Sequence, residues 1–338
     1  MRDFARRTTA DRAAYFGEAA ANRGVPVWML EKDFWVCWLL QQVFELQHLK
    51  NHLVFKGGTS LSKVFGVIKR FSEDIDLSVS PTLLGFTEEG LDQATGRPFK
   101  ELCRKLEAAC IEEIQGRTRT LLAEAITREL GAAGSAGWSL TFEIDPQTES
   151  PVLQFQFPVS TIFGGYVPPR VKLEFGSLTD QRPVGAHSVT PMIADAYPEV
   201  FSVSVAAVVA LEVERTFWEK ATILHAQCHR DPAKVIPDRY ARHYSDLAAL
   251  ARHDLGAQCL ARTDLLATVA HYKSVYFASG WANYQTAKPG TLRLVPPDFR
   301  LAPLAEDYRI MRDMFLEEPP AFDAVMATLQ ELQDRING

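Results

Sequence analysis

Phe55-Lys56-Gly57-Gly58-Thr59-Ser60-Leu61-Ser62-Lys63, taken up again at Arg70-Phe71-Ser72-Glu73-Asp74-Ile75-Asp76-Leu77, decides how the chain is read. Leu53-Val54-Phe55 is a short apolar run, the glycine pair makes a turn, and Leu61 to Ile68 carries helical spacing. The order is strand, glycine turn, helix. From Asp74 to Val79 polar and apolar residues alternate, the pattern of a strand with one wet face and one dry face. Residues two apart in a strand project together, so Asp74 and Asp76 aim their carboxylates at one point while Ile75 and Leu77 face a core. Two such carboxylates repel each other unless a cation joins them. Mg²⁺, or Mn²⁺ in its place, suits them, because a hard ion takes one or two carboxylates and completes its shell with substrate phosphates. The exposed N–H groups of a glycine turn opening a helix attract phosphate. Lys56, Gly57, Gly58, Thr59, Ser60 and Lys63 are therefore candidates for holding an NTP. The chain has no Gly-x-x-x-x-Gly-Lys-[Ser/Thr], so a Walker-type loop is excluded.

A third acid is needed if two metal ions are to clamp the attacking and leaving oxygens of a phosphoryl transfer. Glu174 in Arg170-Val171-Lys172-Leu173-Glu174-Phe175 is the candidate, on an expected strand with Lys172 on its own face. The runs 138–144, 151–157 and 170–175 read as antiparallel strands that extend the sheet carrying Asp74. Upstream, helices are expected over 9–22 and, after Gly24-Val25-Pro26, over 27–49; another helical stretch covers 99–130. The periodicity is helical over 211–227, 238–253, 264–277 and two stretches after Pro303. The expected architecture is α+β: a mixed sheet flanked by helices in a domain of residues 1–205, then a helical domain of residues 206–338.

The composition agrees with two globular domains, at 338 residues with 47% hydrophobic and 23% charged. A net charge of −6 argues against a protein that coats nucleic acid non-specifically. Lys56, Lys63, Lys69 and Arg70 are nonetheless expected to form a local basic funnel. Five cysteines, odd in number and without a Cys-x-x-Cys pair, argue against a disulfide framework. No apolar run approaches the roughly 20 residues of a membrane span, and the N-terminal residues lack the apolar stretch of a secretory signal, so a cytoplasmic protein is expected. His225, Cys228 and His229 fall close together but are too few for tetrahedral zinc. Tyr166, after Gly164-Gly165, caps a loop over the site or packs against it.

The run 55–63, continued by 70–77, closely resembles the AbiEii/AbiGii nucleotidyltransferase toxins, a branch of the DNA polymerase β-like superfamily. Leu30-Glu31-Lys32-Asp33-Phe34-Trp35 is similar to that family's opening helix. Val171-Lys172-Leu173-Glu174, Glu214 to Thr222, and Arg242-His243-Tyr244-Ser245-Asp246-Leu247 match later motifs in order. The resemblance implies a nucleotidyltransferase fold with a helical C-terminal bundle and Mg²⁺-dependent transfer of NMP from NTP. It also implies a toxin neutralised by a cognate antitoxin encoded beside it, with the acceptor end of tRNA as target. Carried over by position, Ser60 matches the hydroxyl beside the glycine turn, Asp74 and Asp76 the metal carboxylates, and Glu174 the later acid. Lys220 and Asp246 match the lysine and aspartate of the last two motifs, and the resemblance brings both into the site from the helical domain. By spacing alone, Asp246 pairs with Arg242 four residues earlier. Three alternatives stay open: transfer to a protein hydroxyl, transfer to a small molecule, and a toxin or regulator that binds NTP without turnover.

Overall fold

The computed structural model describes residues 1–163, 167–201 and 206–338, so Tyr166 lies outside the described residues. The chain divides into two compact units, one of residues 1–64 and 73–210, the other of residues 65–72 and 211–338.

The first unit is built on a seven-stranded mixed sheet. Its strands are β1 (Leu53–Lys56), β2 (Ile75–Val79), β3 (Ser139–Ile144), β4 (Pro151–Gln156), β5 (Arg170–Gly176), β6 (Val184–Val189) and β7 (Ala206–Leu211), in the order β3-β4-β5-β2-β1-β7-β6. The expected antiparallel run β3-β4-β5 is present and extends the sheet beside β2, but β5 joins β2 in parallel. Alternation sets the faces: Val171, Leu173 and Phe175 are buried while Lys172 and Glu174 are partly open.

The helix Val27–Phe44 packs on the dry face and is buried along nearly its whole length, its charged residues Glu31, Lys32 and Asp33 included. Trp35 stacks on Phe157 with ring centroids 5.7 Å apart, and Trp38 on Phe155 at the same separation. Arg12, from the helix Thr9–Arg23, lies 5.5 Å over the Trp35 ring and donates 2.9 Å hydrogen bonds to the Pro158 carbonyl and Ser160 hydroxyl. The expected helical stretch at 99–130 is two helices, Gly96–Glu113 and Arg119–Leu130, joined by one π-helical turn.

The second unit is helical. Its central helix, Val213–Cys228, is buried on most sides and packs against Ala241–Arg252 and Thr263–Tyr276. The helix expected from 211 is the helix Val213–Cys228, and the domain boundary expected at 206 falls instead after 210, because residues 206–210 belong to the sheet, where Ala210 pairs with Phe55 of β1. The excursion of residues 65–72 into the second unit is a further departure. There Phe71 N–H donates to Met314 O at 2.6 Å, and Leu316 N–H donates to Lys69 O at 3.0 Å. All five cysteines are buried thiols. Among the described residues no helix is long and apolar enough to cross a membrane.

Removing the Trp35 ring would empty the space between Arg12, Trp38 and Phe157. Trp35→Ala is expected to destabilise the first unit by about 3–5 kcal/mol, measurable by denaturant unfolding.

Candidate active site

Two of the three acids singled out in the sequence lie side by side on neighbouring strands in the middle of the sheet, and the third immediately precedes one of those strands. The register of β2 against β5 sets Asp76 beside Glu174, and that of β1 against β2 sets Lys56 beside Asp76. Lys56, Asp76 and Glu174 thus form a row across three strands, with Asp74 just before β2 and Lys172 two residues before Glu174. Asp74, Asp76 and Glu174 are all partly open to solvent while Ile75 and Leu77 are sealed in the core.

The glycine turn is itself the first turn of a helix, Gly57–Lys63, leaving β1 directly at Lys56. The helix starts earlier than the spacing predicts and ends at Lys63 instead of continuing to Ile68. Gly57 has φ +81°, and a Cβ built there would lie 2.1 Å from Asp76 Oδ2. Left-handed backbone and close approach both demand glycine. Thr59 and Ser60 are buried. The Thr59 hydroxyl donates to the Asp74 carbonyl, and the Ser60 hydroxyl donates to the Gly57 carbonyl at 2.9 Å. The Thr59 hydroxyl ties the turn to the residue before β2, and the Ser60 hydroxyl closes a bond within the turn itself.

The charges around the acids are organised. Lys172 Nζ donates to Asp145 Oδ2 at 2.6 Å and to Glu174 Oε2 at 2.9 Å. Burial alone would raise the Asp145 pKa, but the bonds from Lys172 and from the Thr148 and Gln147 N–H groups outweigh it and bring it down to about 2. The same partners overcome desolvation to hold Lys172 above the ordinary lysine range. Asp145, in the β3–β4 turn, was not singled out from the sequence, because Ile144-Asp145-Pro146 reads as plain turn chemistry.

Glu31, Lys32 and Asp33 are buried on the Val27–Phe44 helix, and each reaches a different segment. Glu31 accepts from the Ser160 and Thr161 N–H groups at 2.7 and 2.8 Å and from the Thr161 hydroxyl at 2.6 Å. Lys32 pairs with Glu73 and donates to the Pro168 carbonyl at 2.9 Å. Asp33 accepts from Met192 N–H at 2.6 Å and pairs with Lys63. The Lys63 ammonium is therefore buried against Asp33, where desolvation brings its pKa down to about 7.

Arg70 is also buried against a carboxylate, inside the second unit. It grips Asp246 in a two-pronged pair, Nε to Oδ1 at 2.7 Å and a terminal nitrogen to Oδ2 at 2.8 Å. Lys220 approaches the same carboxylate at 2.9 Å. Asp246 is thus held by Arg70 and Lys220, where spacing pointed to Arg242. Burial would raise the Asp246 pKa, but the two cations hold it well below the carboxylate range. With Lys63 and Arg70 each buried against a carboxylate, the basic funnel expected from the sequence loses two of its four members.

His225 and Cys228 have structural partners. His225 Nδ1 accepts from Arg293 N–H at 3.0 Å, so its proton sits on Nε2, which faces Asn283 O and Thr286 Oγ1. Cys228 Sγ donates to Val295 O. Among the described residues no three His, Cys, Asp or Glu side chains form a ready-made metal cage. The oxygen donors of Asp74, Asp76 and Glu174 nevertheless suit Mg²⁺, which takes few protein ligands and fills its shell with water and phosphate.

A family model described as nucleotidyl transferase AbiEii toxin, type IV TA system, matches residues 38–328. Among solved structures, MenT4, a nucleotidyltransferase toxin from Mycobacterium tuberculosis H37Rv, is similar at 13% identity and a TM-score of 0.38, over 89% of this chain and 99% of that one. No curated protein matches.

Two substitutions probe these arrangements. Gly57→Ala is expected to lower the melting temperature, with about 1–2 kcal/mol from the left-handed backbone alone, and to lower activity further by displacing the Asp76 carboxylate. Asp246→Asn leaves two buried cations uncompensated, an expected loss of about 3–5 kcal/mol. Because the folded pKa of Asp246 is depressed, its contribution is present above the unfolded value of about 4 and is lost as pH falls through the folded value. The deficit of the variant, followed by denaturant unfolding from pH 7 downward, is expected to be largest at neutral pH and to shrink below about pH 4.

Proposed function

The chain belongs to the AbiEii family of nucleotidyltransferase toxins of type IV toxin-antitoxin systems, and we propose that it uses Mg²⁺ to transfer NMP from an NTP to the 3′ acceptor end of tRNA. The observation that carries the reading is the parallel register of β2 and β5, which sets Asp76 beside Glu174, while the absence of a side chain at Gly57 lets the glycine turn come up against the Asp76 carboxylate. Asp74, Asp76 and Glu174 are the residues that would hold the metal. Bound there, Mg²⁺ or Mn²⁺ supplies positive charge to the oxygens of the triphosphate.

The chain's own groups account for the rest of the chemistry. The backbone from Gly57 to Ser60 meets the phosphates, with Lys56 beside Asp76 adding positive charge. Lys172 balances the negative charge of Glu174 and Asp145 next to an anionic substrate. The acceptor oxygen forms a bond to the α-phosphorus as the bond to pyrophosphate breaks in line. The acceptor's proton passes to Glu174 or to water. Lys220 and Asp246 are assigned a part in this reaction on their motif match alone. A toxin of this family implies a cognate antitoxin as partner.

The test is transfer of label from each of the four α-³²P NTPs, with Mg²⁺, into total tRNA and total protein. Label in tRNA is expected, and Asp74→Ala should reduce it by more than the about 100-fold that loss of an outer-shell partner costs. Label in protein would replace the acceptor. Label in neither fraction would favour a small-molecule acceptor or a binder without turnover.

A further inference from the structure

We propose that Lys32 is a positioning residue, which fixes Asp74 and the start of β5 from the Val27–Phe44 helix. The proposal rests on the reading of Asp74, Asp76 and Glu174 as metal carboxylates. Lys32 touches neither substrate nor reacting atoms in this reading; it acts through its neighbours.

Three observations converge. The Lys32 side chain is 2% exposed, and its ammonium pairs with Glu73, the residue immediately before Asp74. The same nitrogen donates to the carbonyl of Pro168, two residues before β5 begins. Because β2 and β5 run parallel, these two anchor points precede their strands at the same end of the sheet. One buried cation thus staples the starts of the two strands that carry the acids. Its charge also acts on Asp74 directly, with Arg170 the opposing cation nearby.

Asp74 is held from a second side, where the Thr59 hydroxyl donates to its carbonyl. The glycine-turn helix fixes the backbone of Asp74 through Thr59, and the Val27–Phe44 helix fixes the residue before it through Lys32. A side chain that only packed would not need to be charged. Placing an ammonium in a water-free setting costs several kcal/mol unless good partners meet it. Here both partners belong to the segments that lead into the metal strands.

The experiment uses the full chain, stripped of metal, and titrates it with Mn²⁺ by electron paramagnetic resonance, with thermal melts and steady-state transfer kinetics alongside. Four proteins are compared: wild type, Asp74→Ala, Lys32→Met, and the double variant Lys32→Met/Glu73→Gln. Lys32→Met is expected to weaken Mn²⁺ binding about 10–100-fold, the range for removing an outer partner of a metal ligand, and to lower kcat with little change in the KM for NTP. The double variant also neutralises the carboxylate from which Lys32→Met takes its ammonium partner, so it keeps the test open if the single variant does not fold. It is expected to regain thermal stability without regaining Mn²⁺ affinity. Affinity that returns together with stability, or that never falls in Lys32→Met, would overturn the proposal and leave Lys32 a residue of the fold alone. If the wild type shows no Mn²⁺ binding that Asp74→Ala removes, the carboxylate reading fails first and the proposal falls with it.

Discussion

Glu31, Lys32 and Asp33 are consecutive charges on a helix from which water is excluded, and a charge so placed must be met by a partner or by backbone dipoles. Consecutive residues on a helix point about 100° apart, so no single segment can answer all three. Separate parts of the first unit are therefore drawn in: the 160–161 loop by Glu31, the residues before β2 and β5 by Lys32, and both Lys63 and the Met192 N–H by Asp33. Apolar packing of Trp35 and Trp38 on the sheet brings the helix down, but it is indifferent to small displacements along the strands. The charged contacts are directional, and they set where each segment stops.

The same logic explains the arrangement of the acids. A strand offers one face to water and one to the core, and β2 uses this to expose Asp76 while burying Ile75 and Leu77. Neighbouring strands in register place like positions side by side, which puts Glu174 next to Asp76. Such a row of carboxylates would be self-repelling. Lys172 and Lys56 lie in or beside it, and Asp145 fixes Lys172 in turn.

What was legible beforehand follows from the range of the forces involved. The shared face of Asp74 and Asp76 is a period-two property of six residues, and it could be read directly. So could the β3-β4-β5 run. The parallel pairing of β2 with β5 could not, because nothing local to either strand specifies its neighbour. Ala206-Ala207-Val208-Val209-Ala210-Leu211 is apolar without alternation, so its periodicity does not separate strand from helix; the pairing of Ala210 with Phe55 decides it. Gly57 and Gly58 read as a loop because glycine is poor inside helices, yet a first turn tolerates it and the nearness of Asp76 requires it. Lys63 and Arg70 looked like free cations because their partners are distant in sequence, Asp246 lying 176 residues beyond Arg70.

The eight-residue stretch 65–72 has a consequence for how this chain can be inherited. Its backbone is laid along residues 314–316, and its Arg70 supplies two of the bonds that satisfy Asp246. A genetic crossover near residue 210 would therefore not exchange a complete unit. The downstream half would arrive without its own Arg70 and the upstream half would carry a stranger's strip into a foreign bundle. The two units are separable in space as compact bodies but not in the gene, so segments 65–72 and 211–338 are constrained to diverge together.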